Sequence, residues 1–144
     1  MKLKVYLTRI YRFSSAHRLY SPRLTEEENR AVFGNCGNPK GHGHNYILEV
    51  TISGIPDPLT GMVIRRQNLD RIVEDKIIQP WDHRHLDEDT ADFKGNFSTG
   101  EVITRIVWEK LRSCLEGASL SKIKLWETSS SFFEYFEKDI ETVL

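Results

Sequence analysis

The sequence predicts an α+β protein, an antiparallel four-stranded sheet with two main helices on one face. Three observations carry that prediction. Two long runs in the first third of the chain, and two shorter ones near its end, alternate apolar and polar residues with a period of two. Between them lie segments whose apolar residues recur at helical spacing. The resulting order of strand, strand, helix, helix, strand, strand, with hairpin-length connections, favours an antiparallel sheet over a parallel doubly wound one.

Lys4 to Ala16, rich in Val, Tyr, Leu, Ile and Phe, reads as a long strand with His17 at its end. Thr25-Glu26-Glu27-Glu28 has the form of a capping box and predicts a short helix. A loop follows from Gly34 to Gly43. His44 to Ser53 alternates again, with Tyr46, Leu48, Val50 and Ile52 on one face, and Pro56 to Gly61 supplies a turn into a further short extended stretch. Leu69, Ile72, Val73 and Ile77 mark a helix that Pro80, lacking an amide donor, is expected to end. Ser98-Thr99-Gly100-Glu101 offers a second capping box. It opens a helix with the stripe Ile103, Ile106, Val107, Leu111 and Cys114, closed by Gly117. Lys122 to Glu127 and Phe132 to Phe136 read as strands joined by Thr128 to Ser131. Two helices cover little of such a sheet, so its other face is solvated or buried by association, and association is expected.

With 144 residues and no repeat or low-complexity linker, residues 1–144 form one domain. Twenty Lys plus Arg against 21 Asp plus Glu leave no net field for nucleic acid or an anionic membrane. No apolar run of about 18 residues exists to span a bilayer. The N-terminus alternates instead of forming a signal-peptide core, so a cytoplasmic location is expected. Cys36 and Cys114 have no framework of partners and read as reduced thiols, which makes the sequon Asn96-Phe97-Ser98 a chance match.

Gly41-His42-Gly43-His44 is the most informative motif. Histidines at i and i+2 on a strand project to one side and can converge on an ion. His17, at the end of a neighbouring strand, can complete a set of three neutral imidazoles with one position open, the arrangement catalytic zinc uses. Cys36 stands six residues before His42. It can be a fourth ligand closing a structural site, a thiolate base beside the metal, or an inert thiol. In Trp81-Asp82-His83-Arg84-His85-Leu86-Asp87 a carboxylate beside an imidazole can make an acid–base histidine, or His83 and His85 can form a second metal pair. Glu127, at a strand end, is either solvent-facing or an acceptor for two N–H groups of a guanidine-like edge.

Taken together, these residues resemble the 6-pyruvoyl-tetrahydropterin synthases. The resemblance runs through Phe13 to Pro22, Phe33 to Tyr46, Asp57 to Val63, Leu69-Asp70, Asp82-His83 with Leu86-Asp87, Ser98 to Glu101 and Trp126-Glu127-Thr128, nearly the whole chain in order. It implies zinc on His17, His42 and His44, Cys36 as catalytic thiol, Asp82 and His83 as proton-transfer dyad, Glu127 as pterin anchor, and Thr99 and Glu101 lining the pocket. It also implies the T-fold, whose trimers close their sheets into a barrel and stack in pairs as a homohexamer with active sites at subunit junctions. The implied reaction eliminates triphosphate from 7,8-dihydroneopterin triphosphate and rearranges the rest internally to 6-pyruvoyl-tetrahydropterin. Magnesium (Mg2+) can accompany the triphosphate, although no dedicated cage for it is visible.

Three positions depart from the family pattern: His85 where Asn is usual, Gly100 for a common Thr and Val102 for a common Asn. The last two look like the related 6-carboxy-5,6,7,8-tetrahydropterin synthases of queuosine biosynthesis. The five residues between Cys36 and His42 match the pyruvoyl branch and are given more weight, because that loop positions the base. A non-catalytic zinc-stabilised oligomer is the remaining alternative. It would leave the residues resembling the dyad and the anchor without a use.

Overall fold

A computed structural model describes residues 2–137; Met1 and residues 138–144 of the expected domain lie outside the described residues. The elements in chain order are β1 (Val5–His17), α1 (Glu26–Phe33), β2 (His42–Gly54), α2 (Arg66–Val73), α3 (Gln79–Trp81), β3 (Arg84–His85), α4 (Leu86–Asp89), α5 (Gly100–Leu111), β4 (Ser119–Thr128) and β5 (Ser131–Phe136). The sheet has five strands in the order β3-β1-β2-β4-β5. The antiparallel part, β1-β2-β4-β5, is the expected four-stranded sheet. The fifth strand corrects that expectation: β3 is only two residues long and pairs parallel with Ser15 and Ala16 of β1, making the sheet mixed. Two residues carry no alternation, so periodicity could not announce β3.

The core fills one face of the sheet. Phe13, Tyr46, Leu48, Val50, Ile52, Ile123 and Leu125 meet Leu69, Val73 and Ile77, and also Ile103, Val107 and Leu111 of α5, all buried. At about 25 cal/mol for each Å² of apolar surface withdrawn from water, this layer is the main term holding helices to sheet. The opposite face is not a bare apolar surface. Thr8 pairs with Thr51 (2.7 Å), Ser14 donates to Asn45 (2.6 Å), Ser53 pairs with Ser121 (2.6 Å), and Trp126 Nε1 donates to Glu49 (2.7 Å). These cross-strand polar pairs are compatible with water, and exposed Tyr6, Ile10 and Phe132 are interspersed among them.

Local signals held where their hydrogen bonds had no rival. Thr25 accepts from Glu28 N (3.1 Å) while Glu28 accepts from Thr25 N (2.9 Å), a complete capping box. At α5 the cap is Thr99, not Ser98, because the Ser98 hydroxyl is drawn away to Asp87 (2.9 Å). That helix ends at Leu111, short of Cys114, which is half-buried with its thiol on Lys110 O (3.3 Å), and Gly117 lies in the following turn with φ +76°. The chain after Gly61 runs into α2 without a strand. Pro80 does not stop the second helix. A π turn over Glu74–Ile78 widens the winding ahead of the ring, helix continues to Trp81, and Asp82 N still reaches Ile78 O (2.8 Å).

Trp81 anchors the loop that follows. Its indole N–H (2.9 Å) and Lys110 Nζ (2.8 Å) both donate to Asp92. Burial pushes the Asp92 carboxyl up, but the hydrogen bonds from Lys110 and Trp81 outweigh it and hold the group below its ordinary value. A depressed folded value stabilises above the unfolded pKa and is lost as pH falls through the folded one. Asp92→Asn should therefore cost about 1–2 kcal/mol at neutral pH, with the gap to wild type closing below about pH 4. Urea unfolding at pH 7 and pH 3 measures this, and a gap independent of pH would contradict it.

Candidate metal centre and surrounding site

Register builds the centre. His17 and His42 are direct partners across β1 and β2, and His44, opposite Ser15, lies two residues along on the same face. Their rings sit edge to face with centroids 4.6, 5.0 and 4.8 Å apart. One ring nitrogen from each lies within 4.8 Å of the other two. His17 Nε2 and His42 Nε2 are 3.1 Å apart, close to the roughly 3.3 Å that separates two nitrogens bound tetrahedrally to one zinc. The three histidines singled out in the sequence are thus brought together where they could hold a metal ion.

The protonation states suit ligation. His17 Nδ1 donates to Ser98 O (2.7 Å), which fixes its tautomer and leaves Nε2 with a lone pair. Burial lowers the His17 pKa to about 4, the Ser98 carbonyl only partly opposing it, so the ring is neutral at pH 7. His42 is lowered as well, first by burial and then by His44. His42 Nδ1 and His44 Nε2 are buried with no hydrogen-bond partner. A buried orphan of this kind is unfavourable by about 1–3 kcal/mol, and an ion held by His17 Nε2 and His42 Nε2 would relieve it at His44 Nε2. The residues present therefore fit a metal ion with an open coordination position.

Among the described residues Cys36 is outside this ligand set. It lies half-buried in the 3₁₀ turn Gly34–Gly37, where its carbonyl accepts from Leu19 N (2.8 Å) and its thiol is free. Asp82 and His83 are pinned to β1: Ser14 N donates to Asp82 Oδ1 (2.8 Å) and His83 N donates to Ser14 O (2.6 Å). Asp82 Oδ2 stands 3.0 Å from His83 Nδ1. The hydrogen bond from Ser14 N, more than that from His83, lowers the Asp82 pKa and keeps it ionised. His83 has φ +58°, a left-handed backbone that a non-glycine residue keeps only when its surroundings impose it. Its side chain is 82% exposed. It shares with His44 an open groove of ≈ 430 Å³.

His85 is largely buried, 13% exposed, where His83 is open to solvent, although both line the same groove. Its Nδ1 accepts from Glu88 N (3.3 Å), and its buried Nε2 has no partner. Gly41 makes room for it. A Cβ there would fall 2.7 Å from His85 Nε2 and 2.9 Å from His17 O, and φ is +77°.

Glu127 Oε1 approaches His44 Nε2 to 4.0 Å. Burial raises its pKa, with Glu101 adding and His44 opposing, which places Glu101 in electrostatic reach. Thr99 caps α5 beside Glu101. Sequence reasoning missed three supports. Asp87 accepts from Arg18 N (2.7 Å) and from the Ser98 hydroxyl, and Ser98 in turn holds His17. Tyr46 lies under His17 and His44 with its hydroxyl buried and unpartnered. The signal for Tyr46 was present, since it continues the period of His42 and His44; nothing local pointed to the Ser98 carbonyl.

Residues 6–138 match the family described as 6-pyruvoyl tetrahydropterin synthase. The chain belongs to that family. It is 44% identical over 123 residues to the 6-pyruvoyl tetrahydrobiopterin synthase of Homo sapiens, covering 85% of each chain. The solved 6-pyruvoyl tetrahydropterin synthase of Caenorhabditis elegans superposes with a TM-score of 0.88 at 38% identity, over 94% of this chain and 96% of that one. A 6-carboxy-5,6,7,8-tetrahydropterin synthase of Haemophilus influenzae is more distant, 33% identical over 72% of this chain and 86% of its own. In this 6-pyruvoyl tetrahydropterin synthase family member the sheet and helices thus match the T-fold of a solved relative, while the three imidazoles come together in the chain itself.

Proposed function

We propose that the chain is a zinc-dependent 6-pyruvoyl-tetrahydropterin synthase, a carbon–oxygen lyase that eliminates triphosphate from 7,8-dihydroneopterin triphosphate. The observation that carries this reading is the triad His17, His42 and His44 with the Glu127 carboxylate 4.0 Å from His44, in a chain 44% identical to a synthase of that name. His17, His42 and His44 hold the zinc ion, which when bound polarises substrate oxygens and acidifies the neighbouring C–H bonds. Cys36 takes up a side-chain proton as thiolate. Asp82 orients His83, which returns or removes a proton at the same side chain. Glu127 accepts from the amino and ring N–H groups of the pterin, and Thr99 and Glu101 wall the pocket. Triphosphate leaves with the electron pair of the broken C–O bond, and no external redox partner is needed. Magnesium, if it takes part, travels with the triphosphate.

Support for the anchor role comes from the desolvation of Glu127. Glu127→Gln should weaken pterin binding by about 1.5–3 kcal/mol, the worth of a charge-assisted acceptor in a desolvated site. Steady-state kinetics read this as a raised KM, and an unchanged KM would remove Glu127 from the role.

The active form is proposed to be a trimer-based assembly, a homohexamer built as a dimer of trimers. The polar outer face of the sheet suits a wet barrel interior better than a dry packing surface. The 82% exposure of His83 also suits a site completed at a subunit junction. Sedimentation equilibrium should return a multiple of three chains, and a fully active monomer would overturn the assembly. Among the described residues no helix is long and apolar enough to cross a membrane, and a cytoplasmic location with reduced thiols is part of the proposal. The reading as a whole is tested by zinc-dependent triphosphate release from the substrate, which a chelator should abolish.

A further inference from the structure

Gly100 is the first residue of α5 and is buried. A side chain there would have to displace the ring of Phe133. A Cβ built on it overlaps the ring of Phe133, and even the ring's Cζ is only 2.6 Å away. Phe133 lies in β5 opposite Leu125 of β4, which puts its ring on the core side of the sheet beneath α5. One turn pair further along, Trp108 of α5 meets Tyr135 of β5 with centroids 5.2 Å apart. The helix therefore rests on β5 at two points, a ring on a ring near its end and a bare glycine on a ring at its start.

The starting point is the one next to the site. Gly100 is flanked by Thr99, the cap, and by Glu101, which lies in electrostatic reach of Glu127 two residues past Leu125 on β4. Phe133 is half-buried on the edge strand β5, with its ring directly against the glycine. The Gly100–Phe133 contact therefore lies at the helix turn that carries Glu101 toward Glu127.

We propose that Phe133, seated on Gly100, is a positioning residue that tunes this chain's pocket to a planar heterocycle carrying adjacent N–H donors, by setting the separation of Glu101 and Glu127. The inference rests on the pterin reading of that pocket and adds to it the residue that sets its width. It also reverses an ordinary expectation, because Gly→Ala in a helix normally favours the helix, whereas here the added methyl meets a ring.

The test is a double-mutant cycle on the zinc-loaded protein with Gly100→Ala, Phe133→Val and the two combined, reading KM, kcat and the thermal midpoint with 7,8-dihydroneopterin triphosphate. Gly100→Ala should raise KM about tenfold with kcat changed less than about threefold, and the double variant should return KM to within about threefold of wild type. Effects of the two changes that simply multiply, or single variants with wild-type KM, would overturn the inference. If Gly100→Ala fails to fold, Phe133→Val decides alone. A raised KM supports the positioning role, whereas a lowered thermal midpoint with unchanged KM makes the contact merely structural. Wild-type protein that does not turn over the substrate at all would instead sink the pterin reading, a failure separate from that of the cycle.

Discussion

Cys36→Ala should keep its zinc and lose turnover by about a hundredfold or more, the usual contribution of one positioned acid–base group. The expectation follows from where the thiol sits. Cys36 is outside the cluster of His17, His42 and His44, so its removal takes no ligand from the metal. Its backbone carbonyl, not its side chain, holds Leu19 N, so the 3₁₀ turn has no reason to move. Zinc stoichiometry by atomic emission, measured beside triphosphate release, separates the possibilities. A zinc-free variant would show that the thiol is a ligand after all. A zinc-replete variant with wild-type turnover would move the base elsewhere, with His83 the first candidate.

His42→Ala is expected to do the reverse, releasing the metal and with it essentially all activity. Two imidazoles hold zinc poorly. The lost ring is also the register partner of His17, whose Nε2 then faces no second nitrogen. The fold should survive, because His42 is only half-buried and stands at the first position of β2, away from the Leu48-Val50-Ile52 core. Circular dichroism would confirm the fold, and zinc held at wild-type stoichiometry would contradict the ligand assignment.

What the sequence made legible, and what it concealed, divides along physical lines. Periodicity located β1, β2, α5, β4 and β5, because each buries one face over many residues. The histidine cluster was readable since His42-x-His44 needs only the period of a strand, and His17 needed only the antiparallel pairing of its own strand. The Pro80 stop failed because one missing donor was absorbed by a π turn, and the Ser98 cap failed because Asp87 competes for the same hydroxyl. Both depend on groups distant in sequence. The same holds for the Ser98 carbonyl on His17, 81 residues away, and for the polar pairs on the outer face, which exist only once register is set. Cys36 shows the limit most plainly: its spacing to His42 allows ligand, base or inert thiol, and in the fold it lies outside the histidine cluster.

The central claim is that these residues make a pyruvoyl product from a pterin triphosphate, and the most direct measurement is the mass spectrum of that product. Zinc-loaded wild-type protein is incubated anaerobically with 7,8-dihydroneopterin triphosphate and the pterins are resolved by mass. The account predicts 6-pyruvoyl-tetrahydropterin, formed in equal amount to the triphosphate released. A 6-carboxy-tetrahydropterin with acetaldehyde, or unreacted substrate beside fully zinc-loaded protein, would contradict it.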